Sequence, residues 1–358
     1  SMVVAASDSA QAGFVQVVIG RALLNGVLRT EPNGGYRFEH DLLREAVRER
    51  LRARRDRAEI LGRTARALLQ VYGEQRWEIR VRAARLFDAA GELDTALAYL
   101  ADTAMELSLL SWFARSREIC EEAAAIVQRQ PSERARARLC LAESVRAYFE
   151  LRYDDGLAEA RRGRELALAA GDSIVAARCL GSEASNLFYM RRLAESERAA
   201  RALLAECRLG DADMAESGLN AAHRVGEIHV LRGDIEGARP YFEKAVEYAE
   251  SEPGLRRAGY LQLDLAEIDV ARGDLAAARA RVERCRELAQ SPRSGDWREF
   301  IHDLDLRLTV REGRGEQALS GIATRIAELE ARGDRWRVTA FRLLDAFARA
   351  VRPADLLG

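Results

Sequence analysis

The sequence predicts an all-α protein built from stacked pairs of helices. Two residue types recur together at a constant interval of about 40 residues. The glycines of this series are Gly233, Gly273 and Gly313, and the alanines are Ala238, Ala278 and Ala318. A fixed period of this length is typical of repeat proteins, in which each unit packs only against its neighbours. We therefore expect an extended binding surface and no single catalytic pocket.

The composition favours a folded protein and excludes several kinds of site. Of the 358 residues, 48% are apolar and 32% are charged, and 56 basic residues balance 57 acidic ones. That balance gives no general attraction to nucleic acid or to a membrane surface. Lys244 is the only lysine, and it follows Glu243 within a helical pattern. The chain therefore contains no Gly-Lys-Ser/Thr phosphate loop, and it is poorly equipped for Schiff-base chemistry.

The cysteines and the lack of a long apolar run indicate the compartment. The five cysteines are widely spaced, without a CxxC pair or a Cys/His cluster. They are Cys120, Cys140, Cys179, Cys207 and Cys285. We expect a reducing environment, no metal and no cofactor. Without a signal peptide or a continuous apolar run long enough to span a bilayer, the protein is expected to be cytoplasmic and to have no membrane contact. Ser1-Met2 resembles a cloning scar, which suggests a piece of a longer protein.

The segment 1–75 differs from the rest of the chain. Residues 14–28 predict a helix, and two β-prone runs at 27–30 and 36–38 flank a Pro-Asn-Gly-Gly turn. A helix followed by a hairpin is the closing half of a winged helix, so residues 1–39 are expected to be the C-terminal part of such a domain. Residues 40–75 are predicted to be linking helices, and residues 76–352 the repeat domain. An apolar stripe marks the first linking helix, at Leu42, Leu43, Ala46, Val47 and Leu51.

The clearest repeat unit spans residues 222–245. A small residue at Gly226 lets the first helix approach its partner, and Gly233 permits the left-handed conformation that ends it. Asp234 can then cap the second helix. That helix carries packing residues at helical spacing, Ala238, Phe242 and Ala245. Matching sets are Ala266, Gly273, Ala278, Val282 and Cys285, then Leu306, Gly313, Ala318 and Ile322, and near the start Ala84, Gly91, Ala96 and Leu100. The pattern weakens between Pro131 and Gly210, where we expect divergent units.

These residues resemble the tetratricopeptide repeat (TPR) signature, with a period of about 40 residues in place of the usual value of about 34. The resemblance implies a right-handed α–α superhelix. A second segment, YRFEHDLLREAV at 36–47, resembles the junction between winged helix and repeats in signalling ATPases of the STAND class. These include large ATP-binding LuxR-type transcription regulators and cyclase- or kinase-linked relatives. The resemblance implies a sensor region that binds an inducer or a protein and that contacts an ATPase module. This chain contains neither that module nor a C-terminal helix-turn-helix, so the output domain stays open.

Counting from the repeat glycines predicts a binding groove on the first helices. The groove positions are Asn220, His223 and Glu227, then Tyr260, Leu263 and Glu267, then Ile301, Asp303 and Arg307. Glu227 and Glu267 would form an acidic ladder with Arg307 at its end. Such a groove could hold a basic or mixed-charge peptide. The alternative is an ordinary solvated helix face.

Aromatic residues cluster in the divergent middle units. They are Trp112, Phe113, Phe149, Tyr153, Phe188 and Tyr189. Most are expected in the core, and the alternative is a pocket for a small-molecule inducer.

No set of residues predicts catalysis or metal binding. His223 and His229 are six residues apart and do not share a helix face, and His302 and Asp303 point to different sides. The basic stretch at 44–57 is diluted by acidic residues. We interpret it as a solvated face or a docking surface for the ATPase module, and we do not expect DNA binding. The sequence thus predicts a non-catalytic sensor region of a STAND-type regulator, with a stand-alone interaction scaffold or a small-molecule receptor as alternatives.

Overall fold

A computed structural model describes residues 12–31, 35–129, 131–251, 258–289, 298–331 and 334–350. Within these ranges lie 17 α-helices and one two-stranded sheet. The elements are α1 Ala12–Leu24, β1 Leu28–Thr30, β2 Tyr36–Phe38, α2 Asp41–Arg52, α3 Arg57–Tyr72, α4 Trp77–Ala90, α5 Leu93–Leu109, α6 Phe113–Arg129, α7 Glu133–Phe149, α8 Tyr153–Ala169, α9 Ser173–Tyr189, α10 Leu193–Glu206, α11 Ala212–Leu231, α12 Ile235–Ser251, α13 Ala258–Ala271, α14 Leu275–Ala289, α15 Arg298–Arg311, α16 Gly315–Ala331 and α17 Arg335–Ala350. The chain divides into two compact units, Ser1–Met190 and Arg191–Gly358.

The predicted hairpin is present near the start of the first unit. Strands β1 and β2 pair antiparallel, with Leu28 opposite Phe38 and Thr30 opposite Tyr36. Residues 32–34 of its predicted turn lie outside the described residues. Helix α2 follows, and none of its residues is buried. In the part of the chain that the structure describes, Leu42, Ala46 and Val47 of the apolar stripe are exposed and Leu43 and Leu51 are partly buried. The winged-helix assignment stays a prediction.

Helix pairs build the rest of the first unit. Each helix from α3 to α8 packs against the next one along the chain, and α5 contacts α7, which contacts α9. Helices α5, α7 and α9 therefore lie side by side on one face, with α6 and α8 on the other. Small side chains permit this close packing, since Ala96, Ala104, Ala137 and Ala167 are all fully buried.

The second unit repeats the same arrangement. Helices α10 to α17 pack in sequential order, and α13 contacts α15, which contacts α17. Asp234 caps α12 as predicted, because its Oδ1 accepts a hydrogen bond from the Gly237 amide at 2.9 Å. Asp274 caps α14 in the same way through the Ala277 amide, at 3.0 Å. Because α13 and α15 lie side by side, they present one common face, which carries the candidate site described below.

The turn inside each helix pair keeps one backbone geometry along the chain. Gly233, Gly273 and Gly313 all have φ of 78°, and Ser111, Leu151 and Arg191, which are spaced by the same period, have φ of 62°. At the turns of Ser111, Leu151, Gly233, Gly273 and Gly313 the next amide donates to the carbonyl five residues back, for example Asp234 to His229 at 3.0 Å and Arg152 to Ala147 at 2.8 Å. This is the Schellman arrangement that ends a helix.

The middle of the chain is therefore more regular than its sequence suggests. The turns at Ser111 and Leu151 keep the left-handed conformation without glycine, and a sequence pattern based on glycine misses them. Gly91 also has a positive φ, of 81°, but it lies half a period before Ser111, in the turn that precedes α5. Our alignment of Gly91 with Gly233 is thus shifted by one helix.

The left-handed turns give a matched pair of stability predictions. A non-glycine residue pays about 1–2 kcal/mol in this conformation, and the Leu151 side chain is 72% exposed. We expect Leu151→Gly to raise the free energy of unfolding by about 1 kcal/mol and Gly273→Ala to lower it by about 1 kcal/mol. Urea unfolding of both variants measures the two changes. A loss of stability in Leu151→Gly would contradict the strain at this turn.

Each of the five cysteines is buried and reduced. Burial raises the pKa of the Cys120 thiol and of the Cys179 thiol to about 12. In the unfolded chain these thiols ionise at lower pH, so their contribution to stability is complete below about pH 8 and is lost as the pH rises toward 12.

Alkaline unfolding tests this thiol effect. We expect the free energy of unfolding to fall between about pH 8 and pH 10, by about 1 kcal/mol for each of the two thiols. The fall should be correspondingly smaller in a Cys120→Ala/Cys179→Ala variant, whatever its stability at neutral pH. An equal fall in wild type and variant would show that these thiols do not carry the pH dependence.

Within the described residues, no helix has the length and apolar character needed to cross a bilayer.

Candidate functional site

The face shared by α13, α15 and α17 carries a cleft of about 410 Å³. Five of the nine predicted groove residues line it, namely Tyr260, Leu263, Glu267, Asp303 and Arg307. The predicted spacing thus places these side chains together, because successive first helices lie side by side in the second unit.

Three further predicted groove residues, Asn220, His223 and Glu227, lie on α11. His223 reaches the edge of the cleft, with its Nε2 2.9 Å from Oδ2 of Asp264 and its ring 6.0 Å from the ring of Tyr260. Glu227 lies one turn further along α11, and Asn220 is partly exposed at the preceding turn. His223 therefore connects α11 to the cleft.

One predicted groove position is wrong. Ile301 is buried in the core, whereas its neighbour Phe300 is half exposed and lines the cleft. Phe300 follows Tyr260 by one full period and precedes Gly313 as Asn220 precedes Gly233, so Phe300 and Asn220 occupy the same repeat position. The repeat period contained this information, and the error was a shift by one residue.

The predicted acidic ladder is internally paired. Arg307 donates to Glu267, with one contact of 3.1 Å between Nη1 and Oε2. Glu227 lies 2.7 Å from Nη1 of Arg224 and 3.5 Å from Nδ1 of His223. Neither glutamate is thus a lone negative charge waiting for a basic ligand, which corrects the expected electrostatic character of the groove.

Asp303 belongs to a buried ionic network. Its Oδ1 accepts a hydrogen bond from Nε of Arg325 at 2.7 Å, and its Oδ2 accepts one from Arg337. Arg325, on α16, has a side chain only 2% exposed and also donates to Glu299 at 2.8 Å and to Glu328 at 2.7 Å. Burial opposes the charge of Arg325, but the hydrogen bonds to three carboxylates outweigh it and raise its pKa. Asp303 therefore holds the wall of the cleft together and orients Arg337.

Two aromatic rings form the accessible apolar part of the cleft. Tyr260 is 41% exposed and Phe300 46%, and their rings meet edge to face with centroids 6.3 Å apart. The Arg337 guanidinium lies over the Phe300 ring at 5.1 Å. Exposed aromatic rings at a concave position are typical anchors for a ligand.

A second cavity, also of about 410 Å³, continues the cleft toward the C-terminal ends of α13 and α15. It is lined by Val270, Ala271, Arg311 and Phe347. Glu267 and Arg307 line both cavities and thus stand between two largely apolar regions.

The aromatic residues of the first unit do not converge as a set. Tyr153 and Tyr189 stack with centroids 5.4 Å apart, and Tyr148 contacts Tyr189 at 5.3 Å. Phe149 and Phe188 join the same cluster through these rings. Trp112 packs instead on Trp77, at 6.1 Å. Phe113, the sixth predicted residue, is partly buried at the start of α6.

Sequence reasoning missed Tyr148, the centre of this aromatic cluster. The signal was available, because one repeat period separates Tyr148 from Phe188 and Phe149 from Tyr189. Of the six predicted residues Phe188 is buried, whereas Tyr189 and Trp112 are 44% and 50% exposed, so the expectation that most of them lie in the core is wrong.

The surroundings of His229 indicate a structural role. His229 contacts Asp234 at 2.7 Å and Arg201 at 3.2 Å, and it stacks on Tyr241 at 5.3 Å. His302 is exposed while Asp303 is buried, so the two do not form an acid–base pair. Among the described residues, no group of three or more His, Cys, Asp or Glu side chains is arranged to hold a metal ion.

Comparisons with known proteins agree with this architecture. Residues 219–291 match the tetratricopeptide repeat family. The matched region covers α11 to α14, and the helix pairs on both sides of it have the same organisation, so the chain has an all-α, TPR-like fold. A search of curated protein sequences finds no significant match.

Two solved structures resemble the chain over most of its length. The apo form of the quorum sensor NprR from B. thuringiensis is 11% identical, with a TM-score of 0.58 over 89% of this chain and 93% of that chain. A Signal Transduction ATPase with Numerous Domains (STAND) protein with a tetratricopeptide repeat sensor, from Pyrococcus horikoshii, is 14% identical, with a TM-score of 0.58. That match covers 96% of this chain but 56% of the STAND protein. At such identities the likeness shows the fold.

Proposed function

We propose that this TPR-type chain is a non-catalytic, cytoplasmic binding region whose second unit holds a peptide segment in the cleft of α13, α15 and α17. The observation that carries the proposal is the pair of half-exposed rings, Tyr260 and Phe300, at equivalent positions of consecutive repeats. Exposed aromatic side chains on a concave repeat surface supply contact area at little entropic cost. The buried network of Asp303 and Arg325 holds the backbone beneath them in place.

The parent protein in this proposal is a STAND-type ATPase, with a transcription regulator as the favoured output. The junction segment at 36–47 and the fold likeness to a STAND protein with a TPR sensor support it. Ligand binding in the cleft would then shift the parent between inactive and active forms. We assign the apolar stripe of α2 to contact with the ATPase module.

A peptide selection tests the binding role. We expect capped peptides selected from a random display library to bind the wild-type chain in fluorescence anisotropy. The Tyr260→Ala/Phe300→Ala variant should bind them at least about tenfold more weakly. Each ring becomes buried under the bound peptide and should contribute about 1 kcal/mol or more to the binding free energy. Trp112→Ala, which removes an equally exposed ring from the first unit, is the matched control and should change nothing. Equal binding by all three proteins would place the ligand elsewhere.

The STAND role has its own test in the natural full-length protein. The selected peptide should change its ATP turnover, and the change should disappear in Tyr260→Ala/Phe300→Ala. Peptide binding without any effect on turnover, or a parent without a nucleotide-binding module, would favour the plain interaction scaffold.

A further inference from the structure

We propose that the cleft recognises an uncharged stretch of extended peptide, reading one peptide bond with Glu267 and Arg307 and one apolar side chain in each adjoining cavity. This inference rests on the proposed function and names the chemistry of its ligand. It replaces the basic or mixed-charge peptide that the sequence predicted.

Most charged side chains of the cleft already have a partner of opposite charge. Asp264 is paired with His223, and Asp303 receives hydrogen bonds from both Arg325 and Arg337. The Asp303 side chain is 9% exposed. A basic ligand would have to displace a buried arginine from Asp303, which leaves that arginine without its counter-charge. Arg311, at the rim of the second cavity, is exposed, so solvent and salt screen its charge.

The Glu267–Arg307 pair remains accessible to a ligand from the solvent. Both side chains are 43% exposed, and they stand on adjacent helices at the same level of the repeat. An exposed ion pair of this kind contributes little to stability, so its geometry can adjust at low cost. Together the two side chains present an acceptor beside a donor. A peptide bond offers the complementary N–H donor and C=O acceptor, and it carries no net charge.

The apolar regions on either side of the Glu267–Arg307 pair lie at a spacing that suits an extended peptide. Tyr260 precedes Glu267 by seven residues and Ala271 follows it by four. Along a helix these intervals correspond to about 10 Å and about 6 Å. An extended chain advances about 3.3 Å per residue. Apolar side chains about three residues before and two residues after the central peptide bond would therefore reach the cavities of Tyr260 and Phe347.

Two double variants separate peptide-bond recognition from charge recognition. Glu267→Gln/Arg307→Gln removes both charges but keeps a donor and an acceptor, whereas Glu267→Leu/Arg307→Leu removes the hydrogen-bonding groups as well. The probes are three libraries of capped octapeptides with leucine or phenylalanine at the two anchor positions. The residues between the anchors are uncharged in the first library, contain lysine in the second and contain glutamate in the third.

We expect binders from the uncharged library, with affinity that changes less than about threefold between about 50 and about 500 mM NaCl. The glutamine variant should retain affinity within about threefold, and the leucine variant should lose about tenfold or more. Circular dichroism of both variants checks that they are folded.

Several results would overturn the inference and leave the proposed function standing, provided that binding still requires Tyr260 and Phe300. These are preferential capture of the lysine or glutamate library, strong salt dependence, equal losses in both double variants, or no loss in the leucine variant. In contrast, the absence of binders from every library, or binding that is indifferent to Tyr260 and Phe300, would remove the proposed function itself. A dimer in sedimentation that depends on Tyr260 and Phe300, without peptide binding, would assign the cleft to a second copy of the chain.

Discussion

Replacing Arg325 by methionine is expected to lower the free energy of unfolding by about 3–5 kcal/mol, the range observed when one partner of a buried ion pair is removed. The Arg325 side chain is almost fully buried, and its guanidinium donates to Asp303, Glu299 and Glu328. Without it, Asp303 and Glu299 face each other with Arg337 as the remaining counter-charge between them. Urea unfolding of the isolated variant measures the loss.

Two further variants make this result specific. Arg307→Met removes an exposed arginine with a single carboxylate partner, and it should cost less than about 1 kcal/mol. Arg325→Met/Asp303→Leu removes the stranded carboxylate as well, and it should recover part of the lost stability. If Arg325→Met lowers the free energy of unfolding no more than Arg307→Met does, the buried network does not stabilise the wall of the cleft.

Replacing Gly226 by leucine is expected to cost about 3 kcal/mol, at the upper end of the usual cost of overpacking. A Cβ atom at this position would lie 2.9 Å from Cε1 of Phe242, whose ring is buried between α11 and α12. Because the Phe242 ring is 2% exposed and protein interiors are closely packed, we expect the two helices to separate.

A compensating variant tests the cause. Gly226→Leu/Phe242→Ala exchanges the large and small residues across the same contact, so it should be more stable than the two single losses predict when added together. Two repeats later the positions of Gly226 and Phe242 are occupied by Leu306 and Ile322, and Leu306 lies against the neighbouring Gly321. Strictly additive losses would contradict a direct steric contact between residues 226 and 242.

Local signals in the sequence predicted much of the fold. Gly233 and Asp234 mark a helix end and the next helix start by their own backbone and capping preferences, and both behave in the structure as expected. Gly226 marks a close helix contact for the same local reason. The sequence did not predict the regular turns in the middle of the chain, because Ser111 and Leu151 adopt a left-handed conformation that their side chains do not favour. There the packed helices on both sides hold the turn.

The site was predictable in position and less so in chemistry. Helical spacing brings Tyr260, Leu263 and Glu267 onto one face of α13, and with correct counting the repeat period also selects Phe300 on α15. Which charges remain accessible does not follow from a period, because several of the pairing partners lie on other helices. Arg325 on α16 pairs with Asp303 on α15, and Asp264 on α13 pairs with His223 on α11.

The sequence by itself thus determined the helical repeats, their constant period and the face on which the cleft lies. These properties depend on the preferences of single residues and on spacings within one or two helices. Only the tertiary structure decided that Asp303 is a buried support and that Glu267 and Arg307 remain exposed. Burial is the physical reason, because whether a charge is solvated or paired depends on which helices surround it.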